Sequence, residues 1–147
     1  MAIAHEIEAA FAGVPRPDPP LTIGDGPIQD DVEQALAGKG ASELTADDAT
    51  EVRLDLWLLT PEAFAYYVPA LLRIALSGDD EVDGLDEGIF DVLAPPGDPG
   101  LRARFDERMA QLDEPRRDAL ATFVCAFSDE HPELDGADAA RAHWGCG

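Results

Sequence analysis

The sequence predicts an all-α fold, a compact single-domain bundle of about six helices with one proline-bent central helix. Three observations carry this. Apolar residues recur at i, i+4 and i+8 in successive segments, which is the spacing of one helical face. Residues that start helices, Thr45, Thr60 and Asp113, stand just ahead of such segments. Apolar residues make up 46% of the 147-residue chain despite a formal net charge of −21, so the charge must sit on the outside of a folded core. A chain of this length buries about 68–70% of its unfolded surface as one ordinary domain.

Taken in order, Ile3, Ile7 and Phe11 stripe a first helix over residues 2–12 that Gly13 can end. Prolines at 15, 17, 19 and 20 force the stretch to Gly26 to be extended or turning. A second helix runs from Pro27 to Ala37, with Ile28, Val32 and Leu36 repeating the same spacing and Gly38 suited to its end. Thr45 and Asp48 form a capping box, with Asp replacing the usual Glu, for a third segment towards Leu54. The alternation of Val52, Leu54 and Leu56 leaves a short strand as the alternative there.

The clearest local signal is residues 57–64. Thr60 is a good N-cap, Pro61 is preorganised for the first helical position, and Glu62 complements the helix dipole. Leu59 and Phe64 have the spacing of a hydrophobic staple. This central helix should reach about Leu76 and bury Phe64, Tyr67, Leu71, Leu72 and Ile74. Pro69 inside it removes one backbone hydrogen bond and should bend the axis. Of the adjacent Tyr66 and Tyr67, about 100° apart on the wheel, one can be buried while the other nears the surface. Trp57 reads as core. An acidic loop follows to Gly88, then a short apolar helix or turn at Ile89–Leu93 that Pro95 and Pro96 stop. Leu101, Phe105, Met109 and Leu112 stripe the next helix. Asp113 caps the last long one, with Leu120, Phe123, Val124 and Phe127 inward and Pro132 at its end. Residues 1–132 are thus read as the helical domain. Residues 133–147 are read as a weakly ordered tail with Trp144 as an exposed aromatic.

The run Leu59-Thr60-Pro61-Glu62-Ala63-Phe64-Ala65-Tyr66-Tyr67-Val68-Pro69-Ala70-Leu71-Leu72 resembles a family of small uncharacterised bacterial domains. Those domains carry a leucine-threonine-proline-glutamate-alanine-phenylalanine, tyrosine-tyrosine-leucine-proline core helix. The approach from Gly38 to Leu44 and the final helix over 112–127 are similar to that family's order of elements, so the likeness spans the chain. Its motif is one of capping and packing. The resemblance implies a compact helical domain and brings no catalytic residues with it.

Charge is the strongest functional constraint. Thirty-one carboxylates face ten basic side chains, and Lys39 is the only lysine. Nucleic acid and anionic membrane surfaces would be repelled, whereas a basic protein would be attracted and steered. No apolar run reaches the ~20 residues of a membrane span, and the N-terminus lacks the marks of a signal peptide, so a cytoplasmic protein is expected. Cys125 and Cys146 fit reduced thiols, with a bridge between them conditional on export.

Three constellations bear on chemistry. Asp79 to Phe90 begins like a calcium loop, with Asp79, Glu81, Asp83 and Gly84 at positions 1, 3, 5 and 6. It breaks at position 8, which is Asp86, and at position 12, where Phe90 replaces the bidentate carboxylate. Cys125, His131, His143 and Cys146 are zinc-ligand types at spacings unlike those of common structural sites. The same four are the only nucleophile-and-base set, and Cys125 reads as a buried, inert thiol beside Val124 and Phe127. No catalytic residue, metal or cofactor is therefore assigned. The reading placed first is an acidic protein-binding module, of immunity or inhibitor type, that neutralises a basic protein partner. Its contact is placed on Asp79, Asp80, Glu81, Asp83, Asp86 and Glu87, together with Asp30 and Asp31. The alternative is that the acidity is compositional, as in salt-adapted or GC-rich genomes, since Asp outnumbers Glu nineteen to twelve. A metal protein or enzyme is the third reading.

Overall fold

The computed structural model describes residues 2–77, 84–134 and 136–146. These residues form eight α-helices and no strand. The helices are α1 (Ala2–Phe11), α2 (Pro27–Leu36), α3 (Ala46–Val52), α4 (Pro61–Ser77), α5 (Leu85–Leu93), α6 (Pro99–Ala110), α7 (Glu114–Glu130) and α8 (Ala137–Trp144). Short 3₁₀ turns at Ala41–Glu43 and Leu56–Leu58 lead into α3 and α4. None of these helices is long and apolar enough to cross a membrane.

Helix α4 is the centre, packed against α1, α3, α5 and α6. Its start is built as the sequence implies. The Thr60 hydroxyl accepts from the Ala63 N–H at 3.2 Å, the Thr60 carbonyl accepts from the Phe64 N–H at 2.8 Å, and both Leu59 and Phe64 are buried. The helix continues through Pro69. Lacking an N–H, that proline leaves the Ala65 carbonyl without its helical donor. Tyr67 is buried and donates its hydroxyl to the Lys39 carbonyl at 2.8 Å, while the half-buried Tyr66 accepts from the Ala41 N–H at 3.2 Å. Their rings meet edge to face, 4.8 Å between centroids. The two hydroxyls therefore fix the chain over residues 39–41 against α4.

The proline-rich segment is extended where it meets the approach to α4. Ile23 donates to the Leu58 carbonyl at 2.8 Å and Thr60 donates to the Leu21 carbonyl at 2.9 Å, an isolated antiparallel bridge. Glu33 of α2 closes this corner by accepting from the Leu21 N–H, the Thr22 N–H and the Thr22 hydroxyl. Thr45 and Asp48 form the reciprocal capping box of α3. Asp98 caps α6 and Asp113 caps α7 through the Leu101 and Arg116 N–H groups.

Five details depart from the sequence reading. There are eight helices among the described residues where about six were expected, and the third ends at Val52 without a strand. Leu101, assigned to the core, is 42% exposed, and Ile28, at the head of the second helix's stripe, is 52% exposed. Each opens an i, i+4, i+8 stripe. Because four residues advance a helix by about 400°, the first member lies about 80° from the third and drifts off the buried face. Trp57, also assigned to the core, is 39% exposed. Residues 137–144, within the supposed tail, form α8, which packs on α7 and α5 with Ala137 and Ala140 buried. Trp144 is half-buried and donates its indole N–H to the Leu93 carbonyl at 2.7 Å, so it is not an exposed aromatic.

Two features hold α8 down. Arg141 donates to the Cys125 carbonyl, the Ser128 hydroxyl and the Asp129 carboxylate at 3.2, 2.7 and 2.7 Å. Cys125 and Cys146 form a disulfide across 5.4 Å between Cα atoms. The reading of Cys125 as an inert free thiol is thereby corrected. The apolar stripe on α7 that suggested it belongs to Phe123, Val124 and Phe127, and Cys125 is only half-buried beside them.

Candidate functional site

Four of the proposed partner-binding acids, Asp79, Asp80, Glu81 and Asp83, lie outside the described residues, and with them the first five positions of the calcium-like loop. Asp86 and Glu87 occupy the first turn of α5, where a negative charge is favoured by the helix dipole. Their position thus has a structural reason of its own.

Asp30 and Asp31 are exposed on α2, which packs against α3. Asp55, just beyond α3, has its carboxyl raised above the ordinary value, first by burial and then by the negative charge of Asp31. Exposed Asp47 and Glu51 lie on α3 itself. Among the described residues, none of Asp30, Asp31, Asp47, Glu51 and Asp55 enters an ion pair. Glu33, at the end of the same acidic stretch, is instead consumed by the Leu21–Thr22 backbone.

The only lysine is spent nearby. Lys39 pairs with Asp48, whose carboxylate also accepts from the Thr45 N–H and hydroxyl. Burial alone would raise the Asp48 carboxyl. The Lys39 hydrogen bond, the Thr45 N–H and the lysine charge outweigh it and hold the group below its ordinary value. Asp48 is therefore a structural acid, and a sequence count of carboxylates overstates the free ones.

The Cys/His constellation does not assemble as a metal or nucleophile site. Both thiols are in the disulfide, so neither supplies a thiolate. His131 packs at a tilt on Phe127, 4.6 Å between centroids, and lies 3.6 Å from the Glu133 carboxylate, while His143 and Phe105 meet edge to face at 5.0 Å. Burial lowers His143 below the usual imidazole value and favours its neutral form. Among the described residues no group of three or more His, Cys, Asp and Glu side chains could hold a metal ion.

Sequence reasoning passed over a second kind of site. A cleft of about 310 Å³ opens between the Leu56–Leu58 turn, α5 and α6, lined by Trp57, Asp91, Pro96, Leu101, Arg104 and Arg108. Leu101, Arg104 and Arg108 follow one another at i, i+3 and i+7, a spacing that puts them on one face of α6. This face is the reason Leu101 is exposed. Arg108 is only 3% exposed, with its guanidinium carbon 5.7 Å from the centre of the Phe64 ring. Its Nε–H has no hydrogen-bond partner among the described residues. Burial, and then the charge of Arg104, bring its pKa down to about 10, with Glu107 opposing.

Comparison with curated proteins and comparison with solved structures return no match. The family of unknown function DUF6714 does match, over residues 1–145, and the chain belongs to that family.

Proposed function

We propose that the protein is an acidic protein-binding module, of immunity or inhibitor type, that engages a basic partner. The single observation that supports this reading is the net charge of −21, with Asp30 and Asp31 exposed on α2 and Asp47 and Glu51 exposed on α3, the helix it packs against, and none of them in an ion pair among the described residues. Carboxylates held together raise each other's proton affinity and gain from an arriving cation. The acids from Asp79 to Glu87 are a second candidate contact. Steering by such a field speeds association by about 10–10³-fold, which suits an inhibitor.

The test is association kinetics with a basic partner recovered from the native host, followed across a salt series. The on-rate should fall as salt rises and should fall again in the combined variant Asp30→Asn, Asp31→Asn, Asp47→Asn and Glu51→Gln. An on-rate indifferent to both would end the proposal. The compositional alternative is supported by the single lysine and the excess of Asp over Glu. In its salt-adapted form it requires instead that the purified protein need molar salt to stay folded. Cytoplasmic placement belongs to the proposal as well. The Cys125–Cys146 bridge argues against it, because cytosolic thiols are kept reduced, and thiol trapping at the moment of lysis decides the point.

A further inference from the structure

We infer that the cleft between the Leu56–Leu58 turn, α5 and α6 is a binding site for a small monocarboxylate with an apolar body, its carboxylate held by Arg108 and Arg104. This site is separate from the acidic face and does not depend on it.

The argument begins with Arg108. A guanidinium almost wholly removed from water is costly unless it is paired, and one-sided contact with an aromatic ring recovers only part of that cost. Among the described residues no carboxylate lies within ion-pair distance of it, and its Nε–H is unpartnered. Glu107 is its chain neighbour and forms no such pair. In a chain with thirty-one carboxylates this is conspicuous, because an internal partner would have been easy to supply. Arg104, half-buried one turn away, adds a second positive charge to the same wall. A carboxylate arriving there gains charge-assisted hydrogen bonds and relieves the repulsion between the two cations.

The rest of the wall selects the body of the ligand. Trp57 and Leu101, 39% and 42% exposed, and Pro96 offer apolar surface beside the arginines. The volume of about 310 Å³ is at the small end of ligand sites and suits an acyl chain or a single aromatic ring. Asp91 on α5 also lines the cleft, so an anion is favoured only on the α6 side, where the guanidiniums are. Distant surface carboxylates are screened beyond about 8 Å at physiological ionic strength.

The experiment uses octanoate and 3-phenylpropanoate, with octanol and 3-phenylpropanol as uncharged counterparts. Binding is read by calorimetry and by the two indole N–H signals in a nitrogen-15 spectrum, with Trp57→Phe providing the assignment. At least one acid should bind saturably, move the Trp57 signal and leave Trp144, whose N–H is held by Leu93, in place. The matching alcohol should bind at least tenfold more weakly. Arg108→Met should weaken the acid at least tenfold. It should remain folded, since an apolar side chain of similar volume tolerates this environment better than an unpaired charge. Arg104→Gln, at a half-buried position, should weaken the acid several-fold and serves as the deciding variant if Arg108→Met is unstable. Equal affinity for acid and alcohol, unchanged affinity in the arginine variants, movement of Trp144 alone, or no saturable binding of either acid would each overturn the inference. None of these results touches the acidic-face proposal.

Discussion

Gly88 gives the sharpest test of how the cleft is framed. It lies inside α5, where glycine is less favourable than alanine by about 0.8–1 kcal/mol on helix propensity alone. Propensity therefore predicts that Gly88→Ala stabilises the protein. Packing predicts the reverse. A Cβ at Gly88 would lie 1.8 Å from the Arg53 carbonyl oxygen and 3.0 Å from its carbonyl carbon. Ordinary van der Waals contact begins near 3.4 Å, so α5 or the chain around Arg53 must move by more than an ångström. The obstruction is backbone, so no side-chain rotation relieves it. Overpacking of this kind costs about 1–3 kcal/mol and occasionally more, and a contact this short belongs at the upper end. Setting about 3 kcal/mol against the propensity gain leaves a net loss of about 2 kcal/mol. At this chain length that lowers the thermal midpoint by about 4–8 °C. Thermal and urea unfolding followed by circular dichroism supply the measurement. A midpoint equal to or above that of the wild type would show that α5 does not rest on Arg53, and the framing of the cleft would fail with it.

The remaining predictions concern the core, the clasp and two acids. Phe123→Ala, at a fully buried position, should cost about 3–5 kcal/mol in urea unfolding. Cys125→Ser, or reduction, opens a loop closed across a sequence separation of 21 and should cost about 3 kcal/mol on the chain-entropy account, with loss of amide protection concentrated in α8. Asp48 has a lowered folded value, so its stabilisation is fully present above pH 3.8 and is lost as pH falls through that folded value. Lys39→Met should therefore destabilise at neutral pH by about 1 kcal/mol, the lysine being partly exposed, with the difference from wild type shrinking in acid. Asp55 has the opposite sign. Its raised folded value makes the ionised form a liability above pH 3.8, so Asp55→Asn should raise the midpoint at neutral pH and change nothing once both states are protonated.

What the sequence revealed and what it hid follow from the range of the interactions involved. Caps are local, and Thr45, Thr60, Asp98 and Asp113 all accept the N–H three residues on; the first, second and fourth of these were readable from sequence alone. Stripes at i, i+4, i+8 locate a helix correctly but overstate its buried side, because the repeat drifts about 40° per step. Ile3 is half-buried, and Ile28 and Leu101 are exposed, whereas the later members Ile7, Phe11, Val32, Leu36, Phe105 and Met109 are all buried. Helix α8 gave no apolar stripe, since its buried face is two alanines and its fixation comes from the bonds of Arg141 to α7 and the bridge from Cys146 to Cys125 there. Of the candidate sites, the acids on α2 could be named from the sequence. The charge effect of Asp31 on Asp55 could not, because it depends on the packing of α2 on α3. The cleft was half-legible. Arg104 and Arg108 sit at an i, i+4 spacing behind Leu101, but a stripe drawn through Leu101, Phe105 and Met109 passes over them. That Arg108 is buried without an acid is a property of the assembled fold.

The two functional proposals differ in how they should respond to salt, and that difference separates them without knowledge of either ligand. A basic protein approaching the α2–α3 face is drawn by the whole field of a chain of net charge −21, and salt screens that attraction over a length of about 8–10 Å, so association must slow as salt rises. A small carboxylate approaching the α6 cleft meets the same field with the opposite sign. It is repelled at long range and held only on contact with Arg108 and Arg104. Salt removes the repulsion first, because it acts over many ångströms, and reaches the contact last, because Arg108 is shielded from solvent. The affinity of octanoate or 3-phenylpropanoate should therefore stay level or rise between low and physiological salt, as measured by calorimetry at each concentration. A steep fall over that range would mean that the acid is attracted to exposed arginines such as Arg102 and not to the buried one, and the cleft would lose its claim as a site.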